Sequence, residues 1–204
     1  MTIHVHKNDL PFDHGLKGDI AIDTETMGLN PLRDRLCVVQ ISSGDGDAHL
    51  VVFEKDKYDA PNLKKLLQDT SSAKIFHYAR FDVAVIYHFL GVETPNVYCT
   101  KIASRLCRTY TDCHGLKDLC RELLGVSISK VQQSSYWGAE KLSREQKEYA
   151  ASDVLHLHDL RGKLNEMLEK EKRSKIHKEC CDFIITRAKL DLLGWVEKDI
   201  FAYK

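Results

Sequence analysis

The chain has 204 residues, 43% hydrophobic and 29% charged, which supports one sizeable core and is too little for two large domains. Eleven Gly and four Pro exclude collagen-like or extended low-complexity sequence, and apolar runs such as Val83–Tyr87 and Phe183–Ile185 are far too short to span a bilayer. Thirty Lys and Arg balance thirty Asp and Glu, so a long nucleic-acid footprint, which needs a cation for each phosphate it neutralises, is not favoured.

The N-terminus, Met1-Thr-Ile-His-Val-His-Lys, lacks the pattern of a signal peptide. Residues 19–26 (DIAIDTET) predict a strand ended by Gly28-Leu29-Asn30-Pro31, and residues 36–42 (LCVVQIS) a second, followed by the turn Gly44-Asp45-Gly46-Asp47. With residues 49–53 as a third strand, short connections predict an antiparallel meander. Asp59-Ala60-Pro61 starts a helix through Leu63, Leu66 and Leu67. A strand over 74–78, an apolar helix over 81–90 stopped by Gly91, a strand over 97–100 and a helix over 101–108 follow. Residues 116–124 form an amphipathic helix closed by Gly125. Ser143-Arg-Glu-Gln146 is a capping box opening one long helix over 144–172, and a last helix runs from about 176 to 193. The expected fold is α/β: one domain over 1–204, a mixed central sheet flanked by helices, with a helical C-terminal extension over about 174–204.

Seven cysteines without a CxxC pair match neither a disulfide framework nor a zinc site; Cys113-His114 with Cys120 lacks a fourth ligand. Reduced, mostly buried thiols in a cytoplasmic protein are expected.

The chemistry lies in carboxylates. Residues i and i+2 of a strand share a face, so Asp23 and Glu25 stand side by side in an apolar setting (Ile20, Ala21, Ile22). Such a pair is costly unless a cation neutralises it, and Mg²⁺ or Mn²⁺ suits all-oxygen ligation. Taken alone, the pair is equally an ordinary set of strand-edge acids. Asp82 follows at a strand-to-helix junction, and Asp153 lies one helical turn beyond Tyr149, on the same face, with Ala150, Ala151 and Ser152 between them.

The ordered set Asp23-Thr24-Glu25-Thr26-Met27-Gly28-Leu29, Arg80-Phe81-Asp82 and Tyr149-Ala-Ala-Ser-Asp153 resembles the three motifs of the DEDDy 3′–5′ exonucleases. The resemblance is strongest to the ribonuclease D branch. It extends to His114-Gly-Leu-Lys-Asp-Leu, Leu123-Leu-Gly125, Lys130, Ser135 and Trp137, and covers roughly residues 19–165. It implies a ribonuclease H-like fold and phosphodiester hydrolysis with two divalent cations, Mg²⁺ or Mn²⁺, about 4 Å apart. By resemblance Asp23, Glu25, Asp82 and Asp153 are the ligands, with Asp23 bridging, and Tyr149 orients the attacking water. Thr24, Met27, Gly28, Leu29, His77, Lys130, Gln133 and Ser135 are candidate substrate-side residues. Leu29 would be an apolar wedge between bases or a core leucine; His77 and Tyr78 would touch the sugar or pack. The stripe Lys101, Arg105, Arg108 would contact substrate phosphate or form a solvated charged face; the basic stretch 170–175 reads as a solvated helix end, and Trp137 as a packing anchor.

Bacterial ribonuclease D continues into helical nucleic-acid-binding domains, whereas this sequence resembles a compact member of the family acting on dinucleotides. That resemblance implies a short RNA substrate, no membrane, and a homo-oligomer, an octamer by that likeness. Phe183, Ile184, Ile185, Leu190, Leu192, Leu193, Trp195, Ile200 and Phe201 would serve an interface or pack back on the sheet. Two rivals stand beside this reading: an enzyme trimming longer RNA or single-stranded DNA, and a non-catalytic nucleic-acid-binding module, against which the presence of all four carboxylates speaks.

Overall fold

The computed structural model describes residues 1–129 and 131–203. Lys130, a candidate substrate-side residue, lies outside the described residues. Among the described residues six strands form one sheet: β1 (Ile3–Lys7), β2 (Ile20–Thr26), β3 (Leu36–Ser42), β4 (Ala48–Val52), β5 (Lys74–Phe76) and β6 (Val97–Cys99), in spatial order β1-β4-β3-β2-β5-β6. The predicted meander is present: β2 pairs antiparallel with β3, and β3 with β4. β5 and β6 add in parallel on the other side of β2, and β1 adds in parallel to β4. β1 was not predicted, because IHVHK is short, polar and mostly exposed; its pairing comes from the free edge of β4 rather than from its own pattern.

The helices are α1 (Pro61–Gln68), α2 (Ala79–Leu90), α3 (Thr100–Cys107), α4 (Leu116–Leu119), α5 (Arg144–Leu155), α6 (Leu157–Lys170) and α7 (Ser174–Leu192). α4 runs on into a π-helical turn, Cys120–Leu124, which Gly125 ends at φ +70°. One face of the sheet buries Ile20, Ile22, Val39, Ile41 and Phe76 against α1, α2 and α7, through Leu63, Leu67, Val83, Ile86, Ile184 and Ala188. The opposite face buries Ala21, Ile75 and Tyr98 against α3, α5 and α6, through Ala103, Ala151, Val154, Leu160 and Leu164. Trp137, 2% exposed, fills a smaller cluster with Cys37, Val38, Leu50 and Ala150, as a packing anchor should.

Two expectations are corrected. The long helix over 144–172 is broken at His156 (φ −102°, ψ −3°) into α5, seated on β2–β4, and α6, seated on α3. The new direction is held by His158, whose Nε2 lies 2.9 Å from the Asp19 carbonyl, and by Arg161, which donates to the Asp19 carboxylate at 2.5 Å. The solvated stripe fails at Arg108, which is fully buried and donates to Ser104 Oγ, the Cys113 carbonyl and Glu122. Helical spacing places a residue on a face but does not say whether the following loop, here Thr109–Gly115, folds back over it.

Candidate active site

Strand alternation divides the motif residues of β2 between two faces of the sheet. Asp23 and Glu25 follow Ala21 onto the face covered by α5, and Thr24 follows Ile22 onto the face covered by α2. α5 starts from the capping box, with Ser143 Oγ accepting from the Gln146 backbone N–H and the Gln146 side chain accepting from the Ser143 N–H. Its small residues Ala150 and Ala151 are fully buried, which lets the helix come close enough to bring Asp153 to β2. Carboxylate oxygens of Asp23, Glu25 and Asp153 lie within 4.8 Å of one another. From the other face Asp82, in the first turn of α2, accepts a 2.7 Å hydrogen bond from Thr24 Oγ1. A register shift between Glu25 and Thr26 bends the strand at this point.

The electrostatics are those of anions short of a cation. Burial raises the Asp23 carboxyl to about 7, and burial together with the charges of Asp23, Asp153 and Asp82 raises Glu25 to about 10. Asp82 is pushed well above the ordinary carboxylate range by burial and then by Asp23. The Tyr149 phenol is held above its usual range by burial, then by Asp153, Glu25 and Asp23. Its ring stands 6.0 Å from that of Trp137. An all-oxygen, acidic, tightly spaced donor set of this kind fits a hard divalent cation, which would relieve the repulsion that holds these groups protonated.

The remaining candidates surround this centre unevenly. The loop after β2 holds Leu29 out, 87% exposed, so the core-leucine alternative fails. That loop is tied by Asp34, which accepts from the Asn30 N–H at 3.0 Å and from Arg33. Gly28 sits against the Asp34 carboxylate, where any Cβ would collide. Met27 is partly exposed, with its sulfur beside Gly138. We expect Gly28→Ala to displace Asp34, loosen the presentation of Leu29 and raise KM by up to about tenfold, more than it lowers kcat, in steady-state hydrolysis. His77 Nδ1 lies 2.9 Å from Thr100 Oγ1. Ser135 accepts from Gln146 Nε2 at 3.0 Å, which makes it part of the capping arrangement of α5; Gln133 is exposed.

Sequence reasoning missed Gln40. It is fully buried on β3 directly opposite Asp23, and its Nε2 donates to Asp23 Oδ2 at 3.4 Å. The available signal was a lone polar residue inside the apolar run LCVVQIS. It also missed the anchoring of Arg80 by Asp191.

Fold and site together define a nuclease core of ribonuclease H-like architecture with an acidic cluster suited to a divalent cation. A family model described as "3'-5' exonuclease" matches residues 8–169, and the chain belongs to this family of metal-dependent 3′–5′ exonucleases. It is 30% identical over 155 residues to ribonuclease D of Bartonella henselae, covering 76% of this chain but only 38% of that protein's length. Structures of Brucella melitensis NrnC, bound to pGG and with bound Mg²⁺, are 58% and 57% identical with TM-scores of 0.96 and 0.95, each over 100% of both chains. Escherichia coli RNase D is 25% identical with a TM-score of 0.73, over 84% of this chain and 45% of that one. No helix among the described residues is long and apolar enough to cross a membrane.

Proposed function

We propose that this chain hydrolyses short 5′-phosphorylated RNA from its 3′ end, dinucleotides foremost, releasing nucleoside 5′-monophosphates. The observation that carries the chemistry is the convergence of Asp23, Glu25 and Asp153 from β2 and α5, with Asp82 approaching from α2. Asp23, Glu25 and Asp153 would hold one divalent cation, and Asp23 with Asp82 a second. When bound, Mg²⁺ or Mn²⁺ would lower the pKa of water and stabilise the leaving 3′ oxygen. Thr24 and Gln40 fix the Asp82 and Asp23 carboxylates through their hydrogen bonds. Tyr149, whose phenol is held above its usual range in the metal-free chain by burial and then by Asp153, Glu25 and Asp23, positions the attacking water with its hydroxyl. Leu29 presents an exposed apolar edge to a base.

The preference for short strands is supported by the zero net charge and by the Brucella melitensis structure bound to pGG. Kinetics on 5′-labelled RNA of two to twenty nucleotides with Mg²⁺ or Mn²⁺ test it; equal kcat/KM on a dinucleotide and a 20-mer would overturn the length preference and leave the exonuclease reading standing. The likeness to ribonuclease D favours a second reading, the trimming of longer RNA or single-stranded DNA.

Assembly belongs to the same proposal. Ile184 of α7 is buried on the core, while Ile176 and Phe183 of the same helix and Leu193, Ile200 and Phe201 of the segment that follows are exposed, with the Phe183 and Phe201 rings 6.0 Å apart, so exposed apolar residues remain on α7 and its tail. We expect a homo-oligomer, an octamer by the likeness noted above, in light scattering; a concentration-independent monomer would sink this. The single exonuclease domain with its C-terminal extension is part of the reading. The free thiols, most of them buried, support a reducing compartment such as the cytoplasm.

A further inference from the structure

We propose that the segment from Asp191 to Glu197 is a specificity-determining wall of the substrate pocket, which limits the length of strand the site accepts. The proposal rests on the short-substrate reading above and names the part of the chain that enforces it.

The segment is locked to the second motif. Arg80, two residues before Asp82, donates from Nε and Nη2 to the two carboxylate oxygens of Asp191 at 2.5 and 2.7 Å, and from Nη2 to the Val196 carbonyl at 2.9 Å. Arg187 donates to Asp191 and to the Trp195 carbonyl, both at 2.6 Å. Asp191 is buried, 6% exposed, so its ion pairs with Arg80 and Arg187 are partly shielded from competing water, while the bonds to the Val196 and Trp195 carbonyls are exposed. Gly194, at φ +94°, lets the chain turn back after α7, with the Trp195 N–H donating to the Leu190 carbonyl. Arg80 is therefore committed through Nε and Nη2 to holding the tail.

The turn closes a cavity of about 330 Å³ whose lining includes Leu29, Tyr78, Arg80, Phe81, Val196 and Glu197. Phe81 precedes Asp82 and Leu29 lies four residues beyond Glu25, so the cavity is lined by the loop that follows β2 and by the start of α2, next in the chain to residues of the acidic centre. Its volume is at the small end of the about 300–1,000 Å³ typical of small-molecule sites. Leu29, Phe81 and Val196 offer apolar surface to a base. The Arg80 and Arg187 guanidinium groups both pair with Asp191, and Glu197 adds a negative charge at the cavity's rim. A further phosphodiester extending past the wall meets the exposed Glu197 carboxylate, and discrimination comes from steric and like-charge exclusion.

The test is the ratio of kcat/KM for a 5′-phosphorylated dinucleotide to that for a heptanucleotide, measured on the full-length chain, on Asp191→Ala and on Glu197→Gln. We expect the ratio to fall at least tenfold in Asp191→Ala and about threefold in Glu197→Gln, chiefly through a lower KM for the heptanucleotide. The Glu197→Gln difference should vanish near 1 M salt, where exposed charges are screened within about 3 Å. Glu197 is on the surface, so that variant carries the test if Asp191→Ala does not fold. An intact chain that prefers the dinucleotide, with variant ratios within twofold of it, would overturn the wall alone. An intact chain that cleaves both substrates alike would overturn the substrate reading and the wall together.

Discussion

Asp23→Ala is expected to reduce hydrolysis by on the order of 10⁴-fold or more while leaving the fold intact. Asp23 lies among the other acids, so its loss would remove a proposed cation ligand and removes a charge that raises both Glu25 and Asp82. The same residue should be a liability in metal-free protein. A carboxyl with its folded-state pKa raised costs nothing below its unfolded value near 4; the cost grows as pH rises toward the folded pKa. For Asp23 that window is roughly pH 4 to 7, and for Glu25 it continues toward 10. In a chelating buffer the Tm of the intact chain should therefore fall between pH 5 and pH 8. The Asp23→Ala protein should melt higher than the intact chain at pH 8 and show a flatter dependence. Adding Mg²⁺ or Mn²⁺ should raise the Tm of the intact chain and barely move the variant. Substantial activity remaining in Asp23→Ala, or a metal-free Tm that rises over this window, would contradict the assignment of these acids to a cation site.

The site is legible in the sequence to the extent that local geometry builds it. Period-two alternation alone puts Asp23 and Glu25 on one face, and the i, i+4 relation puts Tyr149 with Asp153. That these two pairs meet depends on the closeness of α5 to β2, which Ala150 and Ala151 only hint at. Where long-range packing decides, sequence reasoning stops short. Arg108 looks like one more charge on a helical stripe, yet it is buried under its following loop with its donors used by Ser104, Cys113 and Glu122. The bend at His156 has no Pro or Gly to announce it; it is fixed by contacts of His158 and Arg161 with Asp19, about 140 residues earlier in the chain. β1 alternates Ile3 and Val5 with histidines over only five mostly exposed residues, and it pairs because β4 offers it an edge. Gln40 and Asp191 show a middle case. Each is a polar residue at a position otherwise suited to burial, which marks it as unusual, but only the fold supplies its partner.

Tyr149→Phe is expected to lower kcat by on the order of 10²-fold with little change in KM. Phe keeps the ring, and hence the packing against Trp137 at 6.0 Å, so the loss reports on the hydroxyl alone. The phenol stands among Asp153, Glu25 and Asp23, whose charges oppose its ionisation. A protonated phenol there can donate to one acceptor and accept from a water, which is the geometry needed to aim that water rather than deprotonate it. It is not counted among the carboxylate ligands, so calorimetric titration of Mn²⁺ into Tyr149→Phe should give the stoichiometry of the intact chain and an affinity within a few-fold of it. This split separates two roles that activity alone would confuse. A large drop in metal affinity would mean that the hydroxyl organises the acids, through Asp153 one turn away. Unchanged turnover would mean that Tyr149 serves only to fill space between α5 and the sheet.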